Sequence, residues 1–268
     1  MRTLRDGCRG EDVRYLQHIL NNRLQDLPAL EVDGRFGPIT KTYVQKLQTR
    51  SGLKSDGSVG PKTRAAWGLD DFHVHTFTKD AKLWVAGTPY GAKEYPLRTL
   101  KEWAKLEGAT FTWNLAFFNM TGSGSDQYGP IKGRTLTYVK AKGRTVGYNS
   151  SIGTEERITL NDDNVFAGYK LAIKDGKACQ VSKTGKRARN ATGLLKDGRF
   201  VIVQTVTTAT EKALVDYMLA HYDMDLLLIQ DGGGSVGMYD AEDDVLIAGE
   251  REGTNGRPVA TCICFKEG

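Results

Sequence analysis

The chain has 268 residues, 40% hydrophobic and 26% charged, a size and balance that provide for a sizeable core and point to two soluble, globular domains. No apolar run approaches transmembrane length, and Cys8, Cys179, Cys262 and Cys264 are too few and too irregularly spaced for a disulfide framework. The formal charge of +5 is unevenly spread: residues 1–69 hold 12 Lys and Arg against 7 Asp and Glu, and the remainder 25 against 25.

In chain order, the first predicted helix runs from Glu11 to Asn22, with Val13, Leu16 and Leu20 at helical spacing on its inner face. The segment VDGRFGPIT, Val32 to Thr40, recurs 23 residues later as SDGSVGPKT, Ser55 to Thr63. In each copy an Asp-Gly turn leads to Gly-Pro, with proline suited to the first position of a helix, so helices are expected over Pro38–Arg50 and Pro61–Trp67. Residues 1–69 therefore read as a small all-α, three-helix domain. Through GxxGEDVRYLQ at Gly7–Gln17, DGRFGPIT, VQKLQ and DGSVGPKT, the stretch Leu4–Leu69 resembles the peptidoglycan-binding domain found on many cell-wall hydrolases. That resemblance implies a module that holds its passenger on wall polymer, and the local positive charge suits an anionic wall.

Residues 70–268 change character. Strand-like runs at Leu83–Ala86, Thr110–Asn119, Val201–Val206, Leu226–Ile229 and Val259–Phe265 mix with helices over about Leu97–Glu107 and Thr210–Tyr222. Asp175-Gly176 and Asp197-Gly198 read as hairpin turns. The pattern predicts an α+β domain with a mixed, largely antiparallel sheet. Cys262 and Cys264 would share one strand face, in a structural role. His73 and His75 would likewise share a face, but His18 and His221 belong to helices, so no transition-metal site and no cofactor are expected, while a carboxylate-bound calcium or magnesium stays open. Asp240–Asp244 reads as a solvated hairpin turn.

The apolar run Leu226–Ile229 ends abruptly in Gln230-Asp231-Gly232-Gly233-Gly234-Ser235. Such a run needs core on both faces, while glycines permit positive φ and bring backbone amides close to an anion. Asp231 and Ser235 would then flank an oxyanion or phosphate pocket. Asn114 falls on the opposite strand face from Trp113 and Leu115, an amide in an aromatic setting. Arg189 opens the strand that turns at Asp197-Gly198, and Arg257 immediately precedes the final strand, where a guanidinium could fork onto a phosphate.

Taken in order, Asn114 with Phe117-Phe118, Pro130 to Gly133, Arg189-x-x-x-Gly193 followed by LKDGRFVIV, Asp231-Gly232-Gly233-Gly234-Ser235 and Arg257-Pro258-Val259 resemble the phosphodiester glycosidase family. The resemblance runs from about Phe72 onward. It implies cleavage between a sugar's anomeric carbon and a phosphodiester oxygen. Ordinary glycosidases protonate a departing alkoxide with one carboxylic acid and use a second carboxylate as base or nucleophile, but a phosphate monoester anion is already a stable leaving group. On this reading Arg189 and Arg257 clamp the phosphate, the amides of Gly232, Gly233 and Gly234 line its oxygens, and Asp231 acts on the water or the anomeric carbon. Asn114 and Ser235 orient sugar or phosphate oxygens.

The expected partner is bacterial cell wall, as peptidoglycan or a phosphate-linked glycopolymer such as teichoic acid. The charge-neutral second domain disfavours nucleic acid. The opening MRTLRDGCRGEDV has charges where a signal peptide needs its apolar segment, so synthesis is expected in the cytoplasm, with action at the wall after release. That combination suggests a phage or prophage lysis protein, an endolysin. Two other readings stay open: a muramidase or amidase acting on peptidoglycan itself, and a non-catalytic binder of anionic glycan.

Overall fold

The computed structural model describes residues 3–67, 69, 71–87, 97–115, 118–121, 124–127, 131–133, 136–139, 157–161, 164–206, 208–242, 245–248 and 258–266. The chain divides into two units, Met1–His73 and Val74–Gly268.

The first unit is helical: α1 (Glu11–Arg23), α2 (Pro38–Arg50) and α3 (Pro61–Trp67). Apolar positions at helical spacing, Val13, Leu16, Leu20, Val44 and Leu47, bury against Phe36 and Val59 from the loops and Trp67 from α3. The nine-residue repeat has a physical origin in two buried glutamines. Gln17 on α1 donates to Asp33 Oδ1 (2.8 Å), Arg35 O (3.0 Å) and Thr40 Oγ1 (3.2 Å), and accepts from the Gly34 amide (2.8 Å). Gln48 on α2 does the same one unit later, to Asp56 Oδ1 (2.9 Å), Ser58 O (3.0 Å), Thr63 Oγ1 (3.3 Å) and from Gly57 N (2.9 Å). Each clamp needs the positive φ of its glycine, 75° at Gly34 and 73° at Gly57. The Gln48 amide and the Ser58 N–H also hold the Asp56 carboxyl below its usual pKa.

Gln48→Ala therefore strips one buried amide, carrying four polar contacts, from the α2–α3 junction. The expected loss is about 2–3 kcal/mol in this unit, measured as lost hydrogen-exchange protection of the α2 and α3 amides. Unchanged protection would show the clamp to be dispensable.

The division falls within β1 (Phe72–Phe77), which is followed by β2 (Lys82–Gly87), α4 (Leu100–Glu107) and β3 (Phe111–Asn114). Then come β4 (Phe118–Thr121), β5 (Gly124–Gln127), β6 (Ile131–Gly133), β7 (Leu136–Val139), β8 (Arg157–Asn161) and β9 (Asn164–Ala167). The chain continues through β10 (Lys170–Lys174), β11 (Lys177–Ala178), β12 (Asn190–Leu195), β13 (Phe200–Thr205), α5 (Glu211–His221) and β14 (Met224–Ile229). It closes with β15 (Gly237–Asp240), β16 (Val245–Ala248) and β17 (Thr261–Lys266).

Two sheets dominate, in the orders β1-β13-β12-β14-β10-β11 and β16-β15-β3-β17-β2; β7-β6-β9-β8 and the hairpin β4-β5 are smaller. Pairing of β12 with β13 and β14, and of β3 with β15 and β17, is antiparallel. The unit is thus α+β, and its sheets are largely antiparallel. Aromatic rings join the two large sheets: the Phe77 ring on β1 lies 5.8 Å from Phe200 in its own sheet, and 5.1 and 5.3 Å from Phe265 and Trp113 in the other. His75 packs among Phe77, Phe111 and Trp113, an aromatic contact surface for its ring.

The outer face of the five-stranded sheet is covered by α4, whose Leu100, Trp103 and Ala104 meet Trp84, Ala86, Cys262 and Cys264. The period-2 alternation of β17 explains why both thiols face the same way, with sulfurs 3.6 Å apart. Burial pushes the Cys262 thiol well above its ordinary pKa, as suits an unreactive core cysteine.

Three local expectations need correcting. The α4 helix starts at Leu100 instead of Leu97, because the Thr99 hydroxyl accepts from the Glu102 amide while the Glu102 carboxylate accepts from the Thr99 amide, a capping box that sets the first turn. Gly108, at φ 63°, ends it as read. The α5 helix likewise begins after its N-cap Thr210 and ends at His221. Thr110–Asn119 is not one strand but β3 and β4 in different sheets: Leu115 leaves the ladder, its amide donating to Thr261 O (3.4 Å) and its carbonyl accepting from Asp231 N (3.2 Å). Both predicted Asp-Gly hairpins form, and at Asp175-Gly176 φ is 51° and 71°, the positive pair of a type I′ turn. Between β15 and β16, which pair antiparallel, Ala241 and Glu242 of the predicted acidic turn are exposed, and Asp243 and Asp244 lie outside the described residues.

Candidate functional site

Three chain ends converge. In the register of β12 with β14, Ala191 opposes Ile229, which places Asn190 at the start of β12 beside Gln230, just past the end of β14. Gln230 N donates to Asn190 O (2.8 Å), and the Gln230 side chain donates to Thr192 Oγ1 (2.8 Å). From the other sheet, the end of β3 closes on the same point: Asn190 Nδ2 donates to Asn114 O, and Asp231 N donates to Leu115 O. The fold therefore brings Asn114 and Asn190, distant in sequence, to the adjacent pair Gln230-Asp231.

This junction is buried and polar. Asn114 and Asn190 are 0% and 1% exposed, Asp231 6% and Ser235 4%. Among the described residues, neither side-chain atom of Asn114 has a hydrogen-bond partner, nor has Asn190 Oδ1. A buried polar atom without a partner costs about 1–3 kcal/mol, so such groups concentrate where a fold serves a ligand. Trp113, on the opposite strand face from Asn114, is buried in the inter-sheet core.

The triglycine loop is an irregular turn. Gly232 is extended, Gly233 takes φ 63°, and Gly233–Ser235 makes one tight helical turn in which Ser235 N donates to Gly232 O (3.4 Å). The Gly233 amide is spent on Ala188 O (2.9 Å). That corrects the expectation that all three glycine amides face an anion, and leaves those of Gly232 and Gly234, which meet no acceptor among the described residues.

Beside the loop lies a cleft of about 400 Å³, lined by Gly232, Gly233 and Gln230 and by the charged groups Lys170, Arg187, Arg189 and Glu211. Asp231 and Asn114 do not line it; they form the buried junction next to its floor. Arg189 does line it, but much of its guanidinium is committed. Nε donates to Ala209 O (3.2 Å), one terminal nitrogen to Gly185 O (2.7 Å), and the other pairs with Glu211 at 3.5 Å. Of the five guanidinium N–H bonds, two remain for a ligand. Arg257 falls outside the described residues, as do Phe117 and Pro130.

Glu211 was not foreseen. As the first residue of α5 after the Thr210 cap, it reads in sequence as an ordinary acid suited to a helix dipole. In the fold it is 3% exposed and accepts from Tyr169 Oη (2.8 Å), Lys170 Nζ (2.7 Å) and Ser182 N (2.8 Å). Burial raises its pKa, but the hydrogen bonds from Lys170, the Ser182 amide and Tyr169 outweigh it, and the net shift is below the ordinary carboxylate value. Glu211 is therefore an anion at neutral pH. Two polar partners had visible signals: Gln230 is an amide closing a buried apolar run, and Asn190 adjoins Arg189.

Residues 108–266, more than half of the chain, match the family model described as phosphodiester glycosidase, and residues 9–66 match that of a peptidoglycan binding domain. Among curated proteins, a zinc D-Ala-D-Ala carboxypeptidase of Streptomyces albus G is 44% identical over 61 residues, 23% of this chain and 24% of that protein. An uncharacterized protein in the bpoA1 3′ region of Kitasatospora aureofaciens is 52% identical over 56 residues, 21% of this chain and 47% of that protein. The chain thus spans 24% and 47% of the length of these curated relatives. Among solved structures, the zebrafish N-acetylglucosamine-1-phosphodiester alpha-N-acetylglucosaminidase catalytic domain, auto-inhibited by its pro-peptide, aligns over 74% of this chain and 84% of that one, with TM-score 0.50 and 14% identity. That likeness is one of fold.

Proposed function

Because the chain belongs to the phosphodiester glycosidase family, we propose that it hydrolyses the bond between a sugar's anomeric carbon and a phosphodiester oxygen, in a phosphate-linked glycopolymer of the bacterial wall. The N-terminal peptidoglycan binding domain is the basis for proposing the wall as its place of work: a second contact raises the local concentration of bonds to be cut.

The observation that carries this reading is the juxtaposition of Asp231 and the Asn114 amide, unpartnered among the described residues, with a cleft bearing cations and the Gly232 backbone. A phosphate monoester leaves without a proton, so the leaving side requires positive charge and hydrogen bonds in place of an acid. Arg189 supplies two N–H bonds there, and the Gly232 and Gly234 amides add donors without charge. Arg257 joins them by its place in the family motif. Asp231 acts at the anomeric carbon or on the attacking water, and Asn114, which both donates and accepts, orients sugar oxygens. Ser235 completes the loop.

The test is incubation of the whole protein with a sugar-1-phosphodiester model compound and with purified wall glycopolymer. Equal release of reducing sugar and of phosphomonoester is expected from both. Release of neither, or of muropeptides from peptidoglycan instead, would overturn the proposal.

A further inference from the structure

The cleft holds more positive charge than the motif residues account for. Lys170 stands at the start of β10, and among the described residues its ammonium, with three donors, makes one ion pair, to Glu211 at 2.7 Å. Two N–H bonds remain, and the side chain is 32% exposed. Arg189 shares the same carboxylate from the other side and is 11% exposed. Arg187 also lines the cleft, and is exposed. Among the described residues, three cations against one buried anion leave the cleft net positive, and Gly232 lines it as well. Glu211 itself is saturated, accepting from Tyr169, Lys170, Ser182 and Arg189, so it offers nothing to substrate. Its geometry instead keeps an ammonium and a guanidinium, which repel each other, within reach of one point.

We propose that Lys170 and Arg189, held side by side by Glu211, form an anion subsite that takes the phosphoryl oxygens of the substrate, with Arg187 at its rim. Lys170 is then a binding residue and Glu211 a positioning residue. The inference rests on the phosphodiester reading above and narrows it: the enzyme distinguishes phosphorylated from neutral glycans through this subsite, and a neutral glycoside gains nothing from it.

The test is calorimetric titration of the full-length protein with inorganic phosphate, beside steady-state kinetics on the sugar-1-phosphodiester, for wild type, Lys170→Met and Glu211→Gln. Lys170→Met removes a charge-assisted contact and is expected to weaken phosphate binding and raise KM about 10-fold or more, with kcat changed far less. Glu211→Gln is the sharper variant. It makes the cleft more positive by one charge, so anion affinity would rise if net charge alone mattered; loss of affinity, with the urea midpoint preserved, is the result expected of a positioning residue. Phosphate affinity equal in wild type and Lys170→Met, or raised in Glu211→Gln, would overturn the proposal. Lys170-dependent phosphate binding without sugar release leaves the subsite standing and removes the glycosidase reading. Turnover with KM unchanged in Lys170→Met does the reverse.

Discussion

Asp231→Asn is expected to lower turnover by about 10²–10⁴-fold, the range for loss of a positioned acid or base, while sedimentation with cell walls stays at the wild-type level. The substitution is close to isosteric, and at 6% exposure Asp231 has little room for anything larger. Its backbone amide, donating to Leu115 O, is untouched, so the junction of β3 and β14 keeps its geometry. What changes is a carboxyl group, replaced by an amide that cannot take a proton. On the proposed reading wall retention belongs to the N-terminal unit, so the two readouts separate catalysis from binding. Wild-type turnover in the variant would remove Asp231 from the reaction. An activity loss accompanied by rapid exchange of the Gly233 amide would show instead that the carboxylate serves to fix the loop, a role open to any acid that precedes a glycine turn.

Gly193→Ala is expected to damage stability and activity together. A Cβ at Gly193 would run into the Leu226 carbonyl and come within 3.0 Å of Leu227 Cδ1 and Met224 Cε. The obstacle is backbone, which cannot rotate away, so β12 and β14 must part at the middle of the six-stranded sheet. Overpacking of this kind costs roughly 3 kcal/mol, read as a lower urea midpoint for the Val74–Gly268 unit. The same two strands deliver Arg189 and Asn190 from one side and Gln230 and Asp231 from the other. A shift near 1 Å between them is enough for about a 10²-fold fall in kcat. An unchanged midpoint would mean that the sheet accommodates a methyl there, and that the glycine in Arg189-x-x-x-Gly193 is not required for packing.

Much of the architecture was legible because it depends on near neighbours in sequence. The Gly-Pro starts of α2 and α3, the alternation of β17 and the Asp-Gly hairpin turns need only local rules, and each appears where those rules put it. Where local patterns competed, the reading slipped. Capping chemistry at Thr99 overrode an apolar start at Leu97, and a long-range hydrogen bond to Leu115 O broke what looked like one continuous strand.

The amino-acid sequence by itself determined the two-part organisation, the repeat, the family and the motif residues Asn114, Arg189, Asp231 and Ser235, because those are properties of residue type and spacing. Only the tertiary structure decided which donors remain available. Among the described residues, it spent the Gly233 amide on Ala188, occupied three of the five Arg189 N–H bonds, and left the Asn114 amide buried without a partner. It also recruited Glu211 and Lys170, 41 residues apart, into one ion pair that no local pattern signals. The physical reason is that hydrogen-bond supply and charge balance at a point in space depend on every strand that ends there, and those strands meet only when the sheets are assembled.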